Sequence, residues 1–195
     1  ELRGLGGVRK VFVSSGIRYD MVLGDRKQGD VYLRELVEHH VSGQLKVAPE
    51  HSEPSVLRFM GKPGTDSLLK FRDRFEKLSA KCGKQQYLTF YFIAAHPGCR
   101  ETDMRELALF IRKHLGIKPE QVQIFTPTPS TWSTTMFFTG MDPSSEEPLY
   151  VERKTRAREA QKAIITGEPG RRPGPKTLTT KNPGERGRPF RKNRF

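Results

Sequence analysis

The residues with the most chemistry to offer stand where apolar runs stop. Tyr87-Leu-Thr-Phe-Tyr-Phe-Ile-Ala-Ala95 gives way to His96-Pro97-Gly98-Cys99, an imidazole and a thiol around a tight turn. Gln44-Leu-Lys-Val-Ala48 is closed by Pro49, and Glu50-His51 follow. These supply a carboxylate that accepts hydrogen bonds from hydroxyls and an imidazole that moves a proton near neutral pH. Val8-Arg-Lys-Val-Phe-Val-Ser14 ends in Ser14-Ser15-Gly16, with Arg18 two residues on. Hydroxyls and a glycine at the carboxyl end of a strand have the look of a ligand edge. Each group also has a plainer reading: Glu50 as the cap of a following helix, Ser14 and Ser15 as a turn, Arg18 as a surface charge.

His96 and Cys99 are zinc-ligand types, but a closed zinc site takes four ligands and a catalytic one at least three. His39, His40, His51 or His114 would have to converge on them from distant loops, so no metal site is expected. Trp132, the lone tryptophan, serves equally well to stack on a substrate base or to cover the end of a barrel.

The runs that end in these groups read as buried strands. Tyr87 to Ala95 is continuous in apolar residues instead of alternating, as in a parallel sheet flanked by helices. Pro97 cannot donate to a ladder and Gly98 permits a positive φ, so the strand stops there. The next helix carries Met104, Leu107, Ala108, Ile111 and Leu115 at helical spacing, with Glu101 or Thr102 to cap it and Gly116 to end it. Upstream, a polar connector (20–29) leads to a helix with Leu33, Leu36, Val37, His40 and Val41 on one face, ended by Gly43. After Pro54 a helical pattern is broken at Lys62-Pro63-Gly64 and resumes through Leu68, Phe71, Phe75 and Leu78. Val122 to Phe125 forms a fourth strand, Met136 to Gly140 reads as a further short one, and Val151 to Ile165 as a basic helix. The fold class is therefore α/β, with about four parallel strands and helical crossovers. In such sheets ligands bind at the carboxyl ends of the strands, where the groups named above lie.

Charge divides the chain. From Glu152 onward there are 14 Lys+Arg against 4 Asp+Glu, a net of +10, while the preceding residues carry 21 and 18, a net of +3. Gly167 to Phe195 hold five glycines, five prolines and nine Lys+Arg in 29 residues, a composition that buries no core and predicts disorder. No run approaches the roughly 20 apolar residues of a membrane span, and no charged n-region followed by an apolar h-region opens the sequence. Cys82 and Cys99 are too few for a secreted disulfide scaffold, so a cytoplasmic protein with reduced thiols is expected. A first residue that is not methionine, set close to a strand, suggests a piece of something longer.

Several stretches taken in order, Ser14-Ser-Gly-Ile-Arg18, Leu45-Lys-Val-Ala-Pro-Glu-His51, Val56-Leu-Arg-Phe-Met-Gly-Lys-Pro63, Tyr91-Phe-Ile-Ala-Ala-His-Pro-Gly98, Gln121-Val-Gln-Ile-Phe-Thr-Pro127 and Thr134-Thr-Met-Phe-Phe-Thr-Gly140, resemble the later part of the radical S-adenosylmethionine domain of YgiQ-type proteins. The resemblance runs from about Val8 to about Ile165. It implies half of a (β/α) partial TIM barrel over 1–140, an extension with a basic helix over 141–166 and a disordered tail over 167–195. It also implies that the intact parent is an enzyme using S-adenosylmethionine and a 4Fe-4S cluster on an unassigned substrate. Cofactor binding is implied for Ser14, Ser15, Arg18, Glu50, His51, Ala94, Pro97 and Gly98, the small Ile93-Ala94-Ala95 stretch letting an adenine lie against backbone. The family holds its cluster by Cys-x3-Cys-x2-Cys, and no such spacing occurs here. Neither cofactor is expected to bind this chain stably, the fragment alone is expected to be inactive, and its first partner is the missing half of the barrel. The competing expectation is a nucleic-acid-binding accessory acting through the basic tail, with weak, nonspecific affinity for RNA or another polyanion.

Overall fold

The computed structural model describes residues 2–167; the expected disordered tail lies outside the described residues. Three strands, β1 (Gln44–Glu50), β2 (Tyr87–Ala94) and β3 (Gln121–Ile124), form one parallel sheet in the order β1-β2-β3. Helices α1 (Tyr19–Gly24) and α2 (Gly29–Glu35) precede β1. Between β1 and β2 come α3 (Pro54–Met60) and α4 (Thr65–Lys81), and α5 (Glu101–Phe110) joins β2 to β3. Helices α6 (Trp132–Thr139) and α7 (Thr155–Thr166) follow β3. The α/β class with parallel strands is thus present, compatible with half of a partial barrel.

One face of the sheet makes the core. Leu45 and Val47 of β1 and Phe90, Phe92 and Ala94 of β2 pack with Leu33, Val37, Phe71, Phe75, Met104 and Leu107 from the helices, and Ile165 brings α7 into the same cluster. Burial of this kind stabilises by about 1.5–3 kcal/mol for each large side chain removed from water.

Several local expectations are corrected. The run Val8 to Ser14 enters no ladder: its Val11 carbonyl accepts from His40 Nδ1 at 2.7 Å and its Val13 N–H donates to His40 O at 2.9 Å. With those groups turned to the end of α2, only an isolated parallel bridge, Ile17 to Val47, reaches β1. The stretch 20–29 is not merely a connector, since Tyr19–Gly24 is helical and Tyr19 packs 5.9 Å from Phe71. Of Met136 to Gly140, the residues through Thr139 are helix instead of strand and Gly140 is its left-handed C-cap. There the Thr131 hydroxyl accepts from Thr134 N–H at 3.2 Å, satisfying one of the free amides of α6. Likewise α5 is capped by neither Glu101 nor Thr102: the Asp103 carboxylate accepts from Arg100 N–H at 2.7 Å. Among the described residues, no helix is long and apolar enough to cross a membrane.

Candidate functional site

Among the described residues, the second face of the sheet contributes no side chain to the core cluster. Strand alternation and register place Lys46 beside Thr89, Tyr91 beside Gln121 and Ile93 beside Gln123 on it. Lys46, Tyr87 and Gln123 are exposed, while Thr89, Tyr91 and Ile93 are half-buried. Tyr91 OH donates to Gln123 Oε1 across β2 and β3. The Thr89 hydroxyl is buried without a hydrogen-bond partner among the described residues. A face of this composition suits a lined cavity better than a packed core.

At the carboxyl edge, two adjacent strands end in a left-handed residue that is not glycine: Glu50 at φ 67 and Ala95 at φ 57. Such backbone is costly for an L side chain, of order 1–3 kcal/mol, and it clusters at functional sites. The turn re-aims Glu50, whose carboxylate pairs with Lys62 Nζ at 2.9 Å in a largely buried ion pair. Lys62 also donates to the Ala48 carbonyl at 3.4 Å. Nearby, Arg18 grips Asp20 bidentately, with Nε to Oδ1 at 2.9 Å and Nη2 to Oδ2 at 2.6 Å. That hydrogen bond lowers the Asp20 pKa and raises that of Arg18. Burial first, then the charges of Asp20 and Glu50, pushes the Tyr19 phenol up to about 12. Tyr91 is raised by burial and by Glu50.

Behind this edge lies a dry cluster. His51 is fully buried, its Nδ1 accepting from Glu53 N–H at 3.0 Å and its Nε2 facing Cys99 Sγ at 3.6 Å. Gln161 of α7 reaches the same thiol, with Oε1 at 3.7 Å. Burial, assisted by His96, pushes His51 down to about 3, and burial pushes Cys99 up to about 12. His96 donates from Nδ1 to the Pro97 carbonyl at 2.7 Å and accepts at Nε2 from Ser133 Oγ at 2.8 Å. Burial lowers its pKa to about 4, against the opposing effect of that carbonyl. Both imidazoles are therefore neutral at pH 7 with defined tautomers.

The residues singled out by sequence fall into three groups. Glu50 and Arg18 stand at the edge as charged groups already holding partners, Lys62 and Asp20. Ser14 and Ser15 are exposed on the segment beside β1. His51, Ala94 and Pro97 are buried. Gly98 has φ 87, and its N–H donates to the Tyr150 carbonyl at 2.7 Å, while Cys99 N–H donates to His96 O at 2.8 Å. The amides of this turn thus serve the fold, and its contribution to a ligand is shape. Sequence reasoning misses Lys62 and Asp20. Lys62 sits in Gly61-Lys-Pro-Gly64, which reads only as a break between helices, and Asp20 sits in a stretch that reads as a connector.

Residues 120–169, which take in β3, α6 and α7, match a family model described as a domain of unknown function (DUF3362). A UPF0313 protein of Fusobacterium nucleatum is 48% identical over 166 residues, covering 85% of this chain and 29% of the relative. One from Thermotoga neapolitana is 50% identical over 165 residues, again 85% of this chain and 29% of its own length. In Methanosarcina mazei the figures are 48% over 165 residues, 85% and 26%. The chain therefore spans under a third of the length of these relatives.

Proposed function

The chain belongs to the UPF0313 family of YgiQ-type proteins, and from that membership we propose that it forms the later half of a radical S-adenosylmethionine barrel in a longer enzyme. The observation that carries this reading is the pair of left-handed residues, Glu50 and Ala95, ending adjacent parallel strands above a sheet face that, among the described residues, contributes no side chain to the core cluster.

An iron–sulfur cluster does not fit the residues present. Cys82 precedes β2 and Cys99 follows it, so the two thiols flank opposite ends of one strand, and Cys99 is buried as a neutral thiol. In this reading the cluster ligands lie on the rest of the parent enzyme.

S-adenosylmethionine fits the carboxyl edge better. The Glu50 carboxylate, oriented by Lys62, is an acceptor for a pair of ribose hydroxyls. Arg18, half-exposed, would exchange Asp20 for the carboxylate of the methionine part, and the exposed Ser14 and Ser15 hydroxyls suit its amine. Ile93 and the turn at Ala95 to Gly98 offer a flat apolar backing for an aromatic base. When bound, this cofactor supplies a hydrogen-abstracting 5′ carbon, and the protein's share is to orient it and exclude water.

Anaerobic reconstitution of the full-length protein with iron and sulfide, followed by addition of S-adenosylmethionine with a low-potential reductant such as dithionite and a search for 5′-deoxyadenosine, tests the proposal. Cleavage of the cofactor is expected, together with a sharp loss in Glu50→Gln. A reconstituted protein that holds no cluster and cleaves no cofactor would overturn it.

A further inference from the structure

At the end of the sheet opposite the carboxyl edge, α2 continues into one wide π turn, Leu36–His40. Glu35, Glu38 and His39 stand three and four residues apart, the spacing that gathers side chains on one face of a helix. In a regular α-helix His40 would point elsewhere. A turn closed from i to i+5 brings it back under Glu35, and π turns are frequent at functional sites.

The donor atoms converge. Ligand atoms of Glu35, Glu38 and His39 all lie within 4.8 Å of one another. His39 Nε2 is 3.6 Å from Glu38 Oε2 and 3.9 Å from Glu35 Oε2, and His40 Nε2 is 3.8 Å from Glu35 Oε1. Two donors on one zinc ion, each about 2.0–2.1 Å from it, are at most about 4.2 Å apart, so the His39 contacts already suit one ion. The triad's widest separation must close by rotation, and His40, which meets Glu35 Oε1, must swing toward it.

A separate contact prepares His40 as a ligand. Its Nδ1 is 2.7 Å from the Val11 carbonyl, which can only accept, so Nδ1 carries the hydrogen and Nε2 keeps its lone pair. An imidazole that donates its far N–H to a backbone carbonyl is the usual outer support of a metal-bound histidine. The turn beneath is fixed as well. Gln86 Nε2 donates to the Val37 and Val41 carbonyls at 3.0 and 3.2 Å, and Lys84 Nζ donates to the carbonyls of Val37, at 3.2 Å, and Glu38. Arg3 holds Glu35 Oε1 at 3.0 Å and leaves Oε2 facing His39.

We propose that Glu35, Glu38 and His39 bind one divalent transition-metal ion and that His40, which meets the other oxygen of Glu35, turns in as the fourth donor, with zinc the best match to two imidazoles and two carboxylates. The two carboxylates neutralise the ion. The site clasps the segment 8–13 to the end of α2, where the sheet gains no fourth strand. It lies on the chain's own residues and at the other end of the sheet from the proposed cofactor edge, so it stands or falls independently of that reading.

Competition of chelator-stripped chain 1–195 against a chromophoric zinc indicator is the direct test. One ion per chain is expected, with affinity falling by at least about tenfold in His39→Ala and Glu35→Gln and unchanged in His114→Ala. Circular dichroism establishes that each variant is folded. On the unsubstituted chain, zinc should protect His39 and His40, but not His114, from diethyl pyrocarbonate. Absence of saturable one-to-one binding, binding indifferent to both substitutions (an adventitious ion only), or no protection of His39 and His40 would each overturn the assignment.

Discussion

His51 Nε2 lies 3.6 Å from Cys99 Sγ, joining the residue after β1 to the turn after β2 behind the carboxyl edge. The Glu53 N–H occupies Nδ1, so the imidazole hydrogen sits on Nε2 and points at sulfur. Elsewhere a cysteine beside a histidine is a route to a thiolate nucleophile. Here both partners are stripped of water, and the pair stays neutral because Cys99 is pushed up to about 12 and His51 down to about 3. Cys99 should therefore resist alkylation at pH 8 in the native chain while the half-buried Cys82 reacts, and both should label in denaturant. Mass spectrometry of iodoacetamide-treated protein reads this directly; rapid native labelling of Cys99 would refute it.

The two buried imidazoles also set a pH dependence. In the unfolded chain each binds a proton near pH 6.5, whereas in the folded chain His51 and His96 wait until about 3 and about 4. Between those limits the unfolded state binds more protons, so stability rises with pH and is lost as pH falls below about 6.5. The loss amounts to at most about 6 kcal/mol by pH 4 for the pair, since each imidazole held neutral costs on the order of 1.4 kcal/mol for every pH unit below its unfolded titration. It should level off below the folded values. Urea midpoints measured from pH 7.5 to 4.5 should fall steadily, and His51→Gln should flatten the slope. A midpoint indifferent to pH across that range would show that these imidazoles are not held neutral.

Gly98 is required twice over. Its φ of 87 is strained for any L side chain, and a Cβ there would lie 2.4 and 2.6 Å from Cδ2 and Cε2 of Phe59. Gly98→Ala should destabilise by roughly 2–4 kcal/mol, combining backbone strain with overpacking. Adding Phe59→Leu should recover the overpacking part and leave the backbone part. Equal stability of Gly98→Ala and the original chain in chemical denaturation would contradict this geometry.

The elements legible in the sequence are those whose cause is local. Periodic apolar residues foretell α4 and α5, and Lys62-Pro63-Gly64 foretells the break before α4, while β1 runs two residues past Ala48, through Pro49 to Glu50. Val8 to Ser14 has the composition of a strand, yet His40 from another element takes its carbonyl and amide, and nothing in the run announces that competition. In 136–140 the aromatic pair Phe137-Phe138 suggests a strand and outweighs the cap at Thr131, a local signal that is present. The site divides in the same way. Glu50 is visible as a carboxylate at a strand end, but its pairing with Lys62 crosses a whole helix. The cluster at α2 escapes a reading that weighs histidines only against His96 and Cys99, because Glu35 and Glu38 are the groups beside His39.

The basic end of the chain carries the last prediction, which concerns composition alone. Gly167 to Phe195 hold nine Lys+Arg against two acidic residues, and Phe190 and Phe195 can stack on bases. Affinity for single-stranded RNA should be measurable at low salt and largely lost near physiological salt, because counterion release supplies it. It should not distinguish sequence, since phosphate contacts carry no base information. Deleting 168–195 should abolish the binding in a fluorescence anisotropy titration and leave the cofactor cleavage proposed for the full-length protein unchanged. Binding that survives both the deletion and physiological salt would place the RNA surface on the folded residues, with Lys46 and the open sheet face the first place to look.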